Sequence, residues 1–146
     1  MNGTRQGRGA AGAYRAVEGI GARPADFMKM ALDSARTMLL RAELAIAAGD
    51  RVEKAQTLSS AANVVEFMLG LSGSAPGALS DCLTSVYQYV LAAILKGNAG
   101  NDKEAVEAAR AALDELASTW RTLFPDAVDW EEPEAGAALN RRHDNA

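Results

Sequence analysis

The chain has 146 residues, of which 49% are hydrophobic, 5% aromatic and 23% charged, and its net charge is −4. This length is enough for one hydrophobic core, and the abundance of Ala, Leu and Met favours helices over sheets. Nucleic acid is not an expected partner, because residues 24–125 hold nine Lys and Arg against twelve acidic residues and present no dense basic face. A lone Cys82 excludes an internal disulfide.

Residues 1–12 are rich in Gly and Arg and have almost nothing apolar to bury, so we expect a disordered leader. No N-terminal stretch combines a basic start, a continuous apolar run and a small-residue cleavage site. The sequence also indicates no segment with the roughly 20 apolar residues that span a bilayer. We therefore predict that the protein remains in the cytoplasm.

The first predicted helix begins at Pro24, a residue favoured in an opening turn, and ends at Ala48, where Gly49 supplies a left-handed stop. It carries two apolar rows, which predicts contact with a second neighbour beyond the core. The first row contains Phe27, Met30, Ala31, Met38, Ala42 and Ala45, and the second contains Leu32, Leu39 and Ile46.

A second helix is predicted from Arg51 to about Leu69, and residues 72–77 read as a loop by composition. Its expected inward residues are Val52, Ala55, Ala62, Val65 and Leu69. A third helix follows and ends at Gly97. Its apolar residues recur at steps of three and four: Leu79, Leu83, Val86, Tyr87, Val90 and Ile94.

Asn101 and Glu104 predict a capping box at the start of a fourth helix, which Pro125 stops. Its inward residues are Val106, Ala109, Leu113, Leu116, Trp120 and Leu123. Short linkers force consecutive helices to pack antiparallel. We therefore predict an all-α fold, an antiparallel up-down-up-down four-helix bundle over residues 13–125. Residues 126–146 form an acidic tail, expected to be disordered apart from a contact through Trp130.

The residue types that metal and catalytic sites need are missing from the predicted helices. Di-metal bundles use Glu-x-x-His pairs, and the single histidine of this chain is His143 in the tail. The same shortage argues against a Ser-His-Asp triad, and no Gly-rich phosphate loop is found. Carboxylates such as Glu43 and Asp114 fit solvated polar faces. We therefore predict no enzymatic activity, no cofactor and no metal, and expect a binding function.

An ordered series of motifs lies on the third and fourth helices. Residues 83–90 read Leu-Thr-Ser-Val-Tyr-Gln-Tyr-Val, and they are followed by Asn98, by the pair Asn101-Asp102 and by Trp120. This series resembles the FliS family of flagellin export chaperones. Members of that family carry Leu-Tyr-x-Tyr on the third helix, an Asn and an Asp at the next turn, and a Trp late in the fourth helix.

A second stretch supports the resemblance, because Tyr14, Pro24 and the pair Leu32-Asp33 are similar in order to the family's leading Tyr, helix-start Pro and apolar-Asp pair. Residues 62–66 also look like its second helix. The resemblance covers about residues 13–124. Three departures are Arg23 in place of a common Ser, Ser34 in place of a frequent Gly, and Ala92-Ala93 in place of a common Arg pair.

The resemblance implies a cytosolic chaperone that binds the C-terminal helical segment of flagellin, prevents its premature polymerisation and keeps it competent for type III flagellar export. The flagellar export gate is a further expected partner. Masking an apolar helix-forming segment suits grooves between apolar rows of a bundle. The predicted partner-binding residues are Tyr14, Phe27, Met30, Leu32, Leu39, Val86, Tyr87, Tyr89, Val90, Leu91 and Ile94.

Each of these side chains has an alternative role in completing the core. Because Tyr87 and Tyr89 are two positions apart on a helix, at least one of them should reach a surface or groove. Leu95, beside the core stripe of the third helix, is a further groove candidate. Two other functions stay open: a regulatory bundle that binds another protein, and a self-associating structural domain.

Overall fold

The computed structural model describes residues 23–126, which contain four α-helices and no strand. These helices are α1 (Pro24–Ala48), α2 (Arg51–Ser72), α3 (Gly77–Gly100) and α4 (Lys103–Leu123). Each packs against its neighbours in sequence and α1 also packs against α4, while across one diagonal the Tyr87 side chain of α3 reaches Met28 of α1. The predicted all-α four-helix bundle is confirmed. The expected leader and all of the tail beyond Asp126 lie outside the described residues.

Contacts at the two ends of the bundle show that adjacent helices run antiparallel. Lys54, at the start of α2, donates a hydrogen bond to the carbonyl of Asn98 near the end of α3 at 3.1 Å. At the opposite end, Arg23 precedes α1 and donates to the carbonyl of Asp126, which follows α4, at 3.2 Å. These contacts match the predicted up-down-up-down topology.

The predicted bounds of α1 are confirmed. Pro24 occupies the first turn, and Gly49 adopts the left-handed conformation (φ 73°) while its N–H bonds the carbonyls of Ala45 and Ile46. The cap residue Arg23 makes no side-chain hydrogen bond to the helix backbone and instead pairs with Asp26 at 3.0 Å. The start of α1 therefore depends on proline and an ion pair rather than on a Ser cap.

The inward face predicted for α2 is wrong at two of its five positions. Val52 and Ala55 are exposed, whereas Val65 is fully buried and Ala62 and Leu69 are partly buried against the core. The buried residues are Lys54, Thr57, Leu58, Ala61, Val65, Met68, Leu71 and Ser72. Polar residues share this face because their polar atoms find partners: Thr57 Oγ1, for example, donates to the carbonyl of Glu53 at 2.7 Å. The helix also extends to Ser72, beyond the predicted end.

The turn between α3 and α4 differs from the predicted capping box by one residue. Asn101 ends α3 in the left-handed conformation (φ 52°), and Asp102 caps α4 by accepting the N–H of Ala105 at 3.2 Å. Asn tolerates the left-handed region and Asp is an equally good N-cap, so the two residues divide the roles. Helix α3 consequently continues to Gly100 rather than ending at Gly97.

The core is apolar at the centre of the four helices. Its largest fully buried side chains include Tyr87, Leu32, Leu39, Leu58, Met68, Leu83 and Leu113. The Tyr87 hydroxyl donates to Met28 Sδ at 3.0 Å, which satisfies its polar group. Burial raises the pKa of this hydroxyl well above its usual range.

A row of ion pairs connects α1 to α4. Arg110 donates two hydrogen bonds to Glu43, one of them from Nη2 to Oε1 at 3.1 Å. Arg36 joins Asp33 on its own helix at 2.9 Å and Asp114 on α4 at 2.7 Å. Glu43 is buried, so its expected place on a solvated face is wrong. The hydrogen bonds that Arg110 donates to Glu43 raise the pKa of Arg110 more than burial lowers it.

Candidate functional site

Helix α3 has an unusual surface for a bundle helix. It has 24 residues, and Asp81 and Lys96 are its only charged ones. In its most apolar stretch of 18 residues, only 22% of the residues are buried. A helix on the outside of a soluble bundle normally turns a charged face to water. Much of the uncharged surface of α3 therefore remains unused by the fold.

The same composition makes α3 long and apolar enough to cross a membrane, and it is the single such helix among the described residues. The expectation that the sequence holds no such segment is therefore wrong. Length and composition are weak evidence by themselves, since a core helix of a soluble protein passes the same test. Here α3 packs along α2 and α4 and contributes Leu83, Tyr87, Val90 and Ile94 to the core.

Apolar side chains lie on both edges of α3. Val90 is fully buried, and successive helix residues differ by about 100°. Tyr89 and Leu91, on either side of Val90, therefore point to opposite edges. Tyr89 faces α4, and Leu91 lies toward α2 on the same face as Leu95, four residues later. We define the α3 surface as Val86, Tyr89, Leu91, Ala92 and Leu95.

Two exposed members of the α3 surface, Tyr89 and Leu95, are large. Leu95 is 70% exposed and Tyr89 is 54% exposed, whereas Val86 and Leu91 are half-buried. Tyr89 also lines a cleft of about 370 Å³ between α3 and α4. The other lining residues are Ala92, Ala93, Lys96, Asp102, Glu104, Ala105 and Ala108. Apolar contacts on such a surface are available to a partner, while Glu104 and Lys96 place charges at one end of the cleft.

The structure separates the predicted partner-binding residues into three groups. Five of them are core residues with at most 3% exposure: Leu32, Leu39, Tyr87, Val90 and Ile94. Four are half-buried: Phe27, Met30, Val86 and Leu91. Tyr89 is exposed while Tyr87 is buried, as their two-residue spacing requires. Tyr14 lies outside the described residues. The second apolar row of α1 supplies the core through Leu32 and Leu39, so it provides no spare groove.

Sequence reasoning missed a further apolar pair on α1. Leu40 and Leu44 are 46% and 62% exposed, and their spacing of four places them on one face. Their four-residue spacing could have indicated this pair from the sequence, but neither residue belongs to the two apolar rows predicted for α1. Val52, at the start of α2, is 67% exposed at the same end of the bundle.

Within residues 23–126 no three His, Cys, Asp or Glu side chains form a group that could hold a metal ion. The ionisable groups at the α1–α4 contact are instead engaged with one another. Cys82 is exposed on α3. The chemistry available at the α3 surface is therefore apolar contact, with hydrogen bonding from the Tyr89 hydroxyl.

A helical bundle with an uncharged, partly unburied helix is typical of proteins that bind an apolar segment of another protein. Residues 7–127 match the family model described as flagellar protein FliS, and the chain belongs to this family. It is 32% identical over 110 residues to the flagellar secretion chaperone FliS of Salmonella typhimurium, covering 74% of this chain and 82% of that protein. The flagellar secretion chaperone FliS of Escherichia coli is 29% identical over 94 residues, which are 63% of this chain and 69% of the relative. The family resemblance predicted from the motifs is confirmed.

Proposed function

We propose that this chain is a cytoplasmic flagellar secretion chaperone that binds the C-terminal helical segment of flagellin. In this role it prevents premature polymerisation and keeps its client competent for type III flagellar export. Membership of the FliS family and the names of its two relatives support the chaperone class. The observation that carries the binding mode is the α3 surface, which has large apolar side chains and few charges. The flagellar export gate stays a predicted second partner.

The α3 surface suits an amphipathic helix of the client. Such a helix places apolar side chains at i, i+3, i+4 and i+7, and these can lie along Leu91 and Leu95 while the client wraps α3 to contact Tyr89 as well. The fully buried residues of α3 shape this surface from below without reaching the client. Phe27 and Met30, half-buried on α1, stay in the predicted set. Folding a disordered client costs several kcal/mol, so we expect wide apolar contact and moderate affinity.

The test is isothermal titration of the full chain with a peptide from the C-terminus of the co-encoded flagellin. We expect the parent to bind one peptide. Leu95→Asp and Tyr89→Asp each place a charge on an exposed apolar position, so each should weaken binding by about 10- to 100-fold, the equivalent of one lost buried side chain. Val90→Asp is unsuitable, because Val90 is fully buried and a charge there would unfold the bundle.

Ala47→Asp is the matched control, since Ala47 is exposed on α1, the helix diagonally opposite α3. It should bind like the parent, and circular dichroism should show every variant folded. Absence of any binding by the parent would contradict the proposed client. Parent-like binding by both α3 variants would contradict the proposed surface.

Self-association is the alternative that the same exposed side chains support. Light scattering coupled to size exclusion distinguishes it, because a self-associating domain would be a dimer without the peptide and Leu95→Asp would dissociate it. A chaperone should instead give a one-to-one complex with the peptide.

A further inference from the structure

An apolar cleft opens at the end of the bundle where α1 begins and α4 ends. Its volume is about 440 Å³, within the range of roughly 300–1,000 Å³ that is typical of ligand pockets. Trp120 and Phe124 form an aromatic pair on one wall, with ring centroids 4.6 Å apart. Met28, Ala75 and Leu83 are among the other lining residues. An exposed apolar cleft of this size favours an apolar occupant.

The chain leaves the described bundle beside this end cleft. Phe124 departs from helical geometry (φ −132°, ψ 71°), and two residues later the carbonyl of Asp126 accepts a hydrogen bond from Arg23 at 3.2 Å. Arg23 itself lines the cleft, so the last described residue lies at its rim. Trp130 follows four residues later, and four extended residues span about 13 Å.

We propose that the C-terminal segment of this chain, residues 127–146, docks on this end of the bundle with Trp130 in the end cleft. Trp130 is the only Trp, Tyr or Phe in that segment. A Trp side chain buries about 150–250 Å² of surface, which makes it the strongest apolar anchor that the segment offers. Its acidic neighbours Asp129 and Glu131 stay at the rim in water, where the Arg23 side chain is 61% exposed.

The docked tail would cover Trp120 and Phe124 whether or not flagellin is bound, so this inference is independent of the proposed function. Residues 1–22 lead into the same end of the bundle at Arg23, and Tyr14 is the competing aromatic side chain. Trp130 is four residues from Asp126, whereas Tyr14 is nine residues from Arg23, and the shorter connection favours the C-terminal segment because closing it costs less conformational entropy.

The full chain labelled with 5-fluorotryptophan tests the proposal, because its two Trp residues give two fluorine resonances. Trp130→Phe removes one resonance and thereby assigns both. We expect the Trp130 resonance to be insensitive to replacing H₂O by D₂O, as for a buried indole. Ala75→Phe narrows the cleft and should make this resonance solvent-sensitive. The control Ala99→Phe, exposed near the far end of α3, should leave it unchanged.

A second measurement does not disturb the folded bundle: Trp130→Phe should shift the resonance of Trp120, which lines the cleft. A solvent-sensitive Trp130 in the parent would overturn the proposal. So would a protected Trp130 that neither responds to Ala75→Phe nor affects Trp120. If Tyr14→Ala shifts the Trp120 resonance and Trp130→Phe does not, the N-terminal segment is the occupant and the proposal is wrong.

Discussion

At the scale of single residues, Gly97 shows how one missing side chain sets the distance between two helices. It is buried near the end of α3, and a Cβ placed on it would lie 2.5 Å from Val106 Cγ2 on α4. Val106 is itself fully buried and branched at Cβ, so it has little freedom to move. The close approach of α3 and α4 therefore requires glycine here.

We expect Gly97→Ala to lower the free energy of unfolding by about 1–3 kcal/mol, the usual cost of overpacking a core. Urea denaturation measures the change. Gly70→Ala is the matched control: a Cβ at Gly70 would have no atom within 4 Å, and the helical backbone there suits alanine. It should stabilise the protein by about 0.4–1 kcal/mol. Additive effects of Gly97→Ala and Val106→Ala would contradict the steric explanation, since removing Val106 Cγ2 should relieve part of the cost of the added Cβ.

At the scale of helices, the sequence predicted the structure best where the spacing of apolar residues alone determines which face of a helix is buried. The core row of α3 follows from that periodicity, and the bounds of α1 follow from Pro24 and Gly49. The face of α2 does not follow from periodicity, because Lys54 is buried through a contact with Asn98, 44 residues away. The roles of Asn101 and Asp102 likewise depend on how α3 meets α4. Both residues are good caps, so local sequence does not choose between them.

The candidate site was only partly predictable for a related reason. Core positions and partner-facing positions on α3 use the same residue types, so Val90 and Leu91 look alike in sequence although one is buried and the other is half-exposed. Helical geometry did predict that Tyr87 and Tyr89 would separate. It did not assign which of them faces the core, since that depends on where α2 and α4 pack.

The ion pair between Glu43 on α1 and Arg110 on α4 predicts which of its two partners costs more stability when its charge is removed. The side chain of Glu43 is 6% exposed, whereas that of Arg110 is 33% exposed and also reaches Asp114 at 3.4 Å. Arg110→Gln leaves a buried carboxylate without its bidentate partner, so it should cost about 3 kcal/mol of unfolding free energy. Glu43→Gln leaves a cation that water can solvate, and it should cost about 1 kcal/mol.

Chemical denaturation at neutral pH measures both changes. Lys103→Gln is the control, because Lys103 and Glu107 form a half-exposed pair within one helix whose loss should change stability by less than about 0.5 kcal/mol. Equal losses for Arg110→Gln and Glu43→Gln would show that burial of Glu43 does not determine the energetics of this contact.

At the scale of the whole molecule, the interhelical ion pairs and the largest uncharged surface are concentrated on different helices. Ion pairs join α1 to α4, whereas α3 has only Asp81 and Lys96 among its 24 residues. The α1–α4 contact pairs Arg36 with Asp114 and Arg110 with Glu43, while α3 leaves large apolar side chains such as Leu95 facing water. Such an arrangement is stable only if the solvated polar groups elsewhere keep the protein in solution, and it makes the apolar side the natural place for a partner.

This division predicts how the proposed binding of flagellin should respond to salt. Because the α3 surface is nearly uncharged, raising the salt concentration from about 0.05 to about 0.5 M should change the dissociation constant by less than about threefold. Titration at several temperatures should give a negative heat-capacity change, the signature of buried apolar surface. Lys96→Gln should bind like the parent, although its neighbour Leu95→Asp weakens binding. A loss of affinity above about tenfold with salt, or an equal effect of both neighbouring substitutions, would mean that charges rather than the α3 surface hold the client.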